Sequence, residues 1–124
     1  MQEQIRPLNV SAEYYTEERC YINELSNIAD DPAVSIAQAR VEPGVTTRLH
    51  RLDGITERYV ITAGVGKVEV GSFPVREVNV GDVVLIPPGC AQRISNIGDV
   101  DLVFLAICSP RFEQSAYRDI DQSA

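Results

Sequence analysis

Apolar and polar residues alternate along most of this chain in short runs, and turn-forming residues stand between the runs. The cleanest case is residues 34–41, which reads as a half-buried strand before Glu42-Pro43-Gly44 breaks it. Residues 20–25, 46–52, 57–62, 67–70, 75–80, 92–96 and 101–108 carry the same period-two or β-branched character. Residues 83–86 are apolar on both faces and stop at Pro87-Pro88-Gly89. Asp53-Gly54 is the strongest hairpin signal. Residues 11–19 are polar with two tyrosines and read as a short helical turn or a loop. The tail 111–124 is polar apart from Phe112, Tyr117 and Ile120. About nine short strands and no helix predict an all-β sandwich or barrel, without saying which.

Composition narrows the function rather than the fold. A chain of 124 residues fits one domain, 1–124, with 1–19 as an N-terminal extension and 109–124 as a C-terminal tail. The formal net charge of −7 argues against nucleic acid as a partner and against an anionic membrane surface. No apolar run is long enough for a membrane-spanning helix, and the first residues lack the basic start and apolar stretch of a signal peptide, so a cytoplasmic location is expected. Three cysteines, Cys20, Cys90 and Cys108, have no paired spacing and are read as free thiols, with Cys108 packed in the core.

The sequence holds a single histidine, His50. A lone histidine is more often packed or solvated than a ligand, but its position matters here. It stands in one predicted strand, and Glu57 begins the next across the Asp53-Gly54 turn. Facing hairpin positions bring side chains to about 5 Å, so His50 and Glu57 are expected to share a cavity. An imidazole beside a carboxylate is half of a divalent metal site. Tyr59 is expected to face inward two residues after Glu57, filling the barrel or presenting its hydroxyl to a substrate. Cys90 shares a face with Gln92 if that strand is regular. Arg48 is assigned to the rim, Asp53 to the turn, and Glu24 has no firm place.

Gly44, His50, Leu52, Glu57 and Gly64 stand at the spacing of the first cupin motif. Gly81, Pro87, Gly89, Gln92 and Asn96 stand at that of the second. Over residues 44–96 the chain therefore resembles the cupin superfamily. The resemblance implies a double-stranded β-helix, a jelly-roll barrel, with ligand positions clustered near one mouth. Two positions depart from the family's pattern: Leu52 and Gln92 replace histidines. What the resemblance leaves is a partial set, His50, Glu57 and Gln92, for a weakly held divalent ion such as manganese, iron, nickel or zinc.

Three functions stay open at this stage. One is a metal-assisted enzyme with dioxygenase-, isomerase- or lyase-like chemistry on a small molecule. Another is a non-catalytic, metal-free small-molecule binding module. The third is a metal-independent enzyme of the sugar isomerase or epimerase kind, with His50 as base and Tyr59 as its acid partner. The resemblance also implies a homodimer, with strand 20–25 as a candidate edge.

Overall fold

The computed structural model describes residues 1–122. Its strands are β1 (Tyr14–Tyr15), β2 (Tyr21–Ser26), β3 (Ser35–Val41), β4 (His50–Leu52), β5 (Thr56–Ala63), β6 (Gly66–Val70), β7 (Arg76–Val78), β8 (Val83–Ile86), β9 (Gln92–Asn96), β10 (Leu102–Ser109) and β11 (Tyr117–Asp119). They form two antiparallel sheets, β1-β2-β3-β10-β5-β8 and β11-β4-β9-β6-β7. Alternation along each strand turns one set of side chains inward. Val41, Tyr59, Ile61, Ile86, Ile94, Leu102 and Phe104 thereby fill the space between the sheets. The all-β barrel expected from the patterning is what forms. Among the described residues, no helix is long and apolar enough to cross a membrane.

Two motif residues explain how the chain turns so sharply. Gly64 adopts φ +80°, and a Cβ there would lie 2.7 Å from the Asp101 carbonyl oxygen, so only glycine fits that approach. Asn96 is buried and donates from Nδ2 to the carbonyls of Val41 and Val100, tying the two sheets together.

Several expectations are corrected. Asp53-Gly54 does not close a hairpin: β4 lies in the five-stranded sheet and β5 in the six-stranded one. Gly54, at φ +71°, and buried Ile55 carry the chain around a corner, while the Asp53 amide donates to Ala116 of the tail. The strand expected over 46–52 shortens to β4, preceded by a single bridge at Thr46. Val83 and Leu85 are exposed, because β8 is an edge strand with only one face on the core. Nor is β2 the sheet's edge, since β1 pairs with it through Tyr14–Ile22 and Tyr15–Tyr21.

Both terminal segments fold onto the barrel. Residues 10–12 form a 3-10 turn, and β1 follows. The polar tail supplies β11, which pairs with β4 in the register Tyr117–Leu52 and Asp119–His50. Phe112, Ala116 and Tyr117 pack on a second apolar cluster of Leu52, Ile55 and Cys108. Leu52 thus anchors the tail.

Candidate functional site

A cavity of about 410 Å³ opens at one end of the barrel. His50 and Glu57 both reach it, from opposite sheets rather than across a hairpin. On β4, the backbone of His50 pairs with Gln92 of β9. On β5, Glu57 is flanked by Ile86 of β8 and Cys108 of β10. The barrel's closure, not local sequence, brings these residues together.

His50 is buried, and its Nδ1 lies 2.9 Å from the Arg48 carbonyl oxygen. A carbonyl only accepts, so Nδ1 carries the proton and donates. Nε2 is left facing Glu18 Oε1 at 3.6 Å, an ion-pair distance when the ring is protonated. The Tyr117 ring stacks on the imidazole with centroids 5.2 Å apart. Arg48 itself does not line the cavity and pairs with Asp119 at 2.7 Å.

Glu57 is only 8% exposed, and its Oε1 has no hydrogen-bond partner. Burial pushes its carboxyl up to about 7, with His50, the Gln92 amide and the Cys108 thiol opposing the shift and Glu18 adding to it. Gln92 is fully buried behind the cavity wall. Its Oε1 accepts from the Tyr59 hydroxyl, and its Nε2, although near enough to favour an ionised Glu57, completes no hydrogen bond. Tyr59 packs on Phe104 with ring centroids 4.4 Å apart, and burial holds its hydroxyl protonated. Tyr59 thus faces inward and lines the cavity, with its hydroxyl donating to Gln92.

The donors present do not fit a resident divalent ion. Leu52 is committed to the apolar cluster under the tail. The Gln92 oxygen, the only atom of that side chain able to ligate, is taken by Tyr59, and the residue does not reach the wall. Among the described residues, no three His, Cys, Asp or Glu side chains gather closely enough to hold a metal.

Some wall residues were not legible in the sequence. Glu18 belongs to a polar stretch without periodicity, and Tyr117 to a tail without a motif; both line the mouth. Cys20 and Cys108 also line the cavity, and Cys108 Sγ donates to Glu57 Oε2 at 3.8 Å. Burial pushes the Cys20 thiol up to about 12 and raises that of Cys108, so both stay protonated and unreactive at neutral pH. Cys90 stands apart from the cavity, against Gly71, where an added Cβ would meet its sulfur at 2.9 Å. Glu24 lies on the rim. Asp53 sits outside in ion pairs with Arg51 and Arg118.

Known proteins share this arrangement of strands. The family model of the cupin domain matches residues 37–108. An uncharacterized protein of Methanocaldococcus jannaschii is 35% identical over 101 residues, 80% of each chain. A Klebsiella pneumoniae protein with a double-stranded β-helix domain superposes with a TM-score of 0.77 at 13% identity, covering 96% of this chain and 100% of the other. Streptomyces Pac13 bound to uridine, a protein described as a nucleoside dehydratase, gives 0.78 at 14% identity over 98% and 93% of the two chains. Oxalate decarboxylase of Lactobacillus farciminis gives 0.75 at 22% identity, covering 87% of this chain and 33% of the enzyme. At such identities the three structures speak for the fold.

Proposed function

The chain belongs to the cupin domain family, and on that footing we propose that its barrel mouth binds a small organic molecule and exchanges a proton with it through Glu57 and His50. One observation carries this reading: Glu57 lines the cavity, is buried there, and keeps one carboxyl oxygen, Oε1, without a hydrogen-bond partner among the described residues. Leaving a buried acceptor unsatisfied costs about 1–3 kcal/mol, and a ligand that donates to it recovers that energy.

The chemistry follows from the same residues. A carboxyl held near 7 accepts or releases a proton at neutral pH with little driving force wasted, which suits a general acid or base. His50 presents Nε2 to the same space, fixed by its Nδ1–H bond to Arg48. Tyr59 is a positioning residue: its hydroxyl holds the Gln92 amide, whose N–H2 end lies toward Glu57. No step needs a metal. A dehydratase among proteins of the same fold fits proton-transfer chemistry of this class. The second reading is a non-catalytic binding module, favoured by the largely apolar remainder of the wall, including Ile22, Ile94 and Phe104.

A screen of chemically diverse small molecules against the ¹⁵N-labelled protein tests the proposal. Binders are expected to perturb residues around His50, Glu57 and Tyr117, and Glu57→Gln to weaken them. Perturbations confined to other surfaces, or none, would overturn it. The cytoplasmic setting and the homodimer are part of the same proposal, and light scattering tests the dimer.

A further inference from the structure

We infer that the ligand of this cavity is a small organic cation, a molecule carrying an ammonium group held by Glu57 between aromatic walls. This rests on the cavity being a ligand site, as proposed above, and goes on to name the ligand's class.

Charge is the first ground. Four carboxylates line the cavity from rim to floor: Glu17 and Glu24 at the exposed edge, Glu18 at the half-buried mouth and Glu57 deep inside. Among the described residues, neither lysine nor arginine lines it. Of the nearby arginines, Arg48 pairs with Asp119 and Arg40 with Glu13 and Asp101, while Arg19 donates to the Thr46 carbonyl and Arg58 to the Ser109 hydroxyl. Glu18 faces His50 Nε2 at 3.6 Å and accepts from Cys20 Sγ at 3.7 Å, and among the described residues Glu17, Glu24 and Glu57 form no ion pair with a lysine or arginine. An anionic ligand entering this funnel meets the acids of its edge and mouth, whereas a cation is drawn in and favours the ionised form of Glu57.

The buried end of the funnel points the same way. Glu57 lines the cavity and is more than nine-tenths buried, and its Oε1 has no hydrogen-bond partner among the described residues. An N⁺–H donor would satisfy that atom and neutralise the carboxylate together.

The walls decide between kinds of cation. Tyr14, Tyr15, Tyr59, Tyr117, Phe104 and Phe112 all line the cavity. Aromatic faces attract weakly hydrated ammonium groups, whereas strongly hydrated metal ions need clustered oxygen ligands. The acids here are spread along the depth, and among the described residues no three potential metal ligands come together. The volume of about 410 Å³ suits a small organic molecule.

A matched series of benzylammonium, benzyl alcohol and benzoate separates the alternatives, with binding followed by NMR on the full chain. Benzylammonium is expected to bind in the cavity at least about ten-fold tighter than the alcohol, with benzoate weakest, and the preference should shrink as salt is raised. Glu18→Gln, at the half-exposed mouth, should reduce the preference by several-fold while the spectrum stays that of the folded protein. Glu57→Gln should abolish it. Binding of benzyl alcohol or benzoate in the cavity as tightly as benzylammonium would overturn the inference and leave the ligand site standing. Binding of none of the three there would overturn the inference, and an empty diverse screen as well would remove the site. Displacement of benzylammonium by equimolar zinc would overturn it in favour of a metal.

Discussion

The Tyr59 hydroxyl donates to Gln92 Oε1, and that single bond sets the character of the barrel's interior. It engages the one atom of Gln92 able to bind a metal and leaves the amide N–H2 on the side of Glu57. Where the family's pattern has an imidazole, this chain has a clamp that orders a neutral amide behind a buried carboxyl.

Tyr59→Phe removes the clamp and keeps the ring that packs on Phe104. We expect a loss of about 1 kcal/mol in stability, since Gln92 Oε1 would be buried without a donor. Any ligand contacting Glu57 should bind more weakly as well. Urea denaturation and ligand titration of the variant measure the two effects separately.

Glu57 should make stability depend on pH in a direction opposite to an ordinary salt-bridged carboxylate. Its folded value, about 7, lies above the ordinary 4.5. Between those values the folded chain binds the proton more tightly than the unfolded chain. The stabilisation is therefore complete below about 4.5 and lost as pH rises through 7. Glu57→Gln, which never ionises, should be more stable than the native protein at pH 8, by something on the order of 3 kcal/mol at most. At pH 4 the two should nearly coincide. Denaturant midpoints across that range check the sign.

Restoring the family's imidazoles should restore metal binding. In Leu52→His/Gln92→His, the family's full set of three imidazoles and the Glu57 carboxylate is restored, and about one equivalent of zinc or manganese is expected to bind. The native protein should retain only a small fraction of that after the same incubation and desalting. Elemental analysis of both proteins decides it, and stoichiometric metal on the native chain would contradict the donor argument.

Tyr117→Ala tests the tail as part of the site. The ring stacks on His50 and packs against the cluster around Leu52, Ile55 and Cys108. Its loss should cost about 1–3 kcal/mol and widen the mouth, weakening ligands held near His50. Thermal unfolding and NMR at His50 report the two consequences.

The barrel was legible because strand alternation and the turn residues at Gly44, Gly64, Gly81 and Gly89 encode it locally. His50 and Glu57 were legible as cavity residues, but the geometry joining them was not. A two-residue turn signal at Asp53-Gly54 looks the same whether it closes a hairpin or starts a corner, and only the pairing of β4 with β9 and β11 distinguishes them. Glu18 and Tyr117 escaped for a related reason. Glu18 reaches the mouth from the turn of the local β1–β2 hairpin and Tyr117 through the long-range pairing of β11 on β4, with no periodicity to announce either. The edge strand β8 misled in the other direction, since an apolar run does not reveal that Val83 and Leu85 face outward.

The most direct test is the titration of the Glu57 side-chain carboxyl, followed by ¹³C NMR in metal-depleted protein with Glu57→Gln as the assignment control. A midpoint near 7 is predicted, as the burial of this carboxyl on the cavity wall requires. A midpoint at or below the ordinary 4.5 would show a solvated, ion-paired or metal-bound carboxylate, and would contradict the proton-exchanging site built on it.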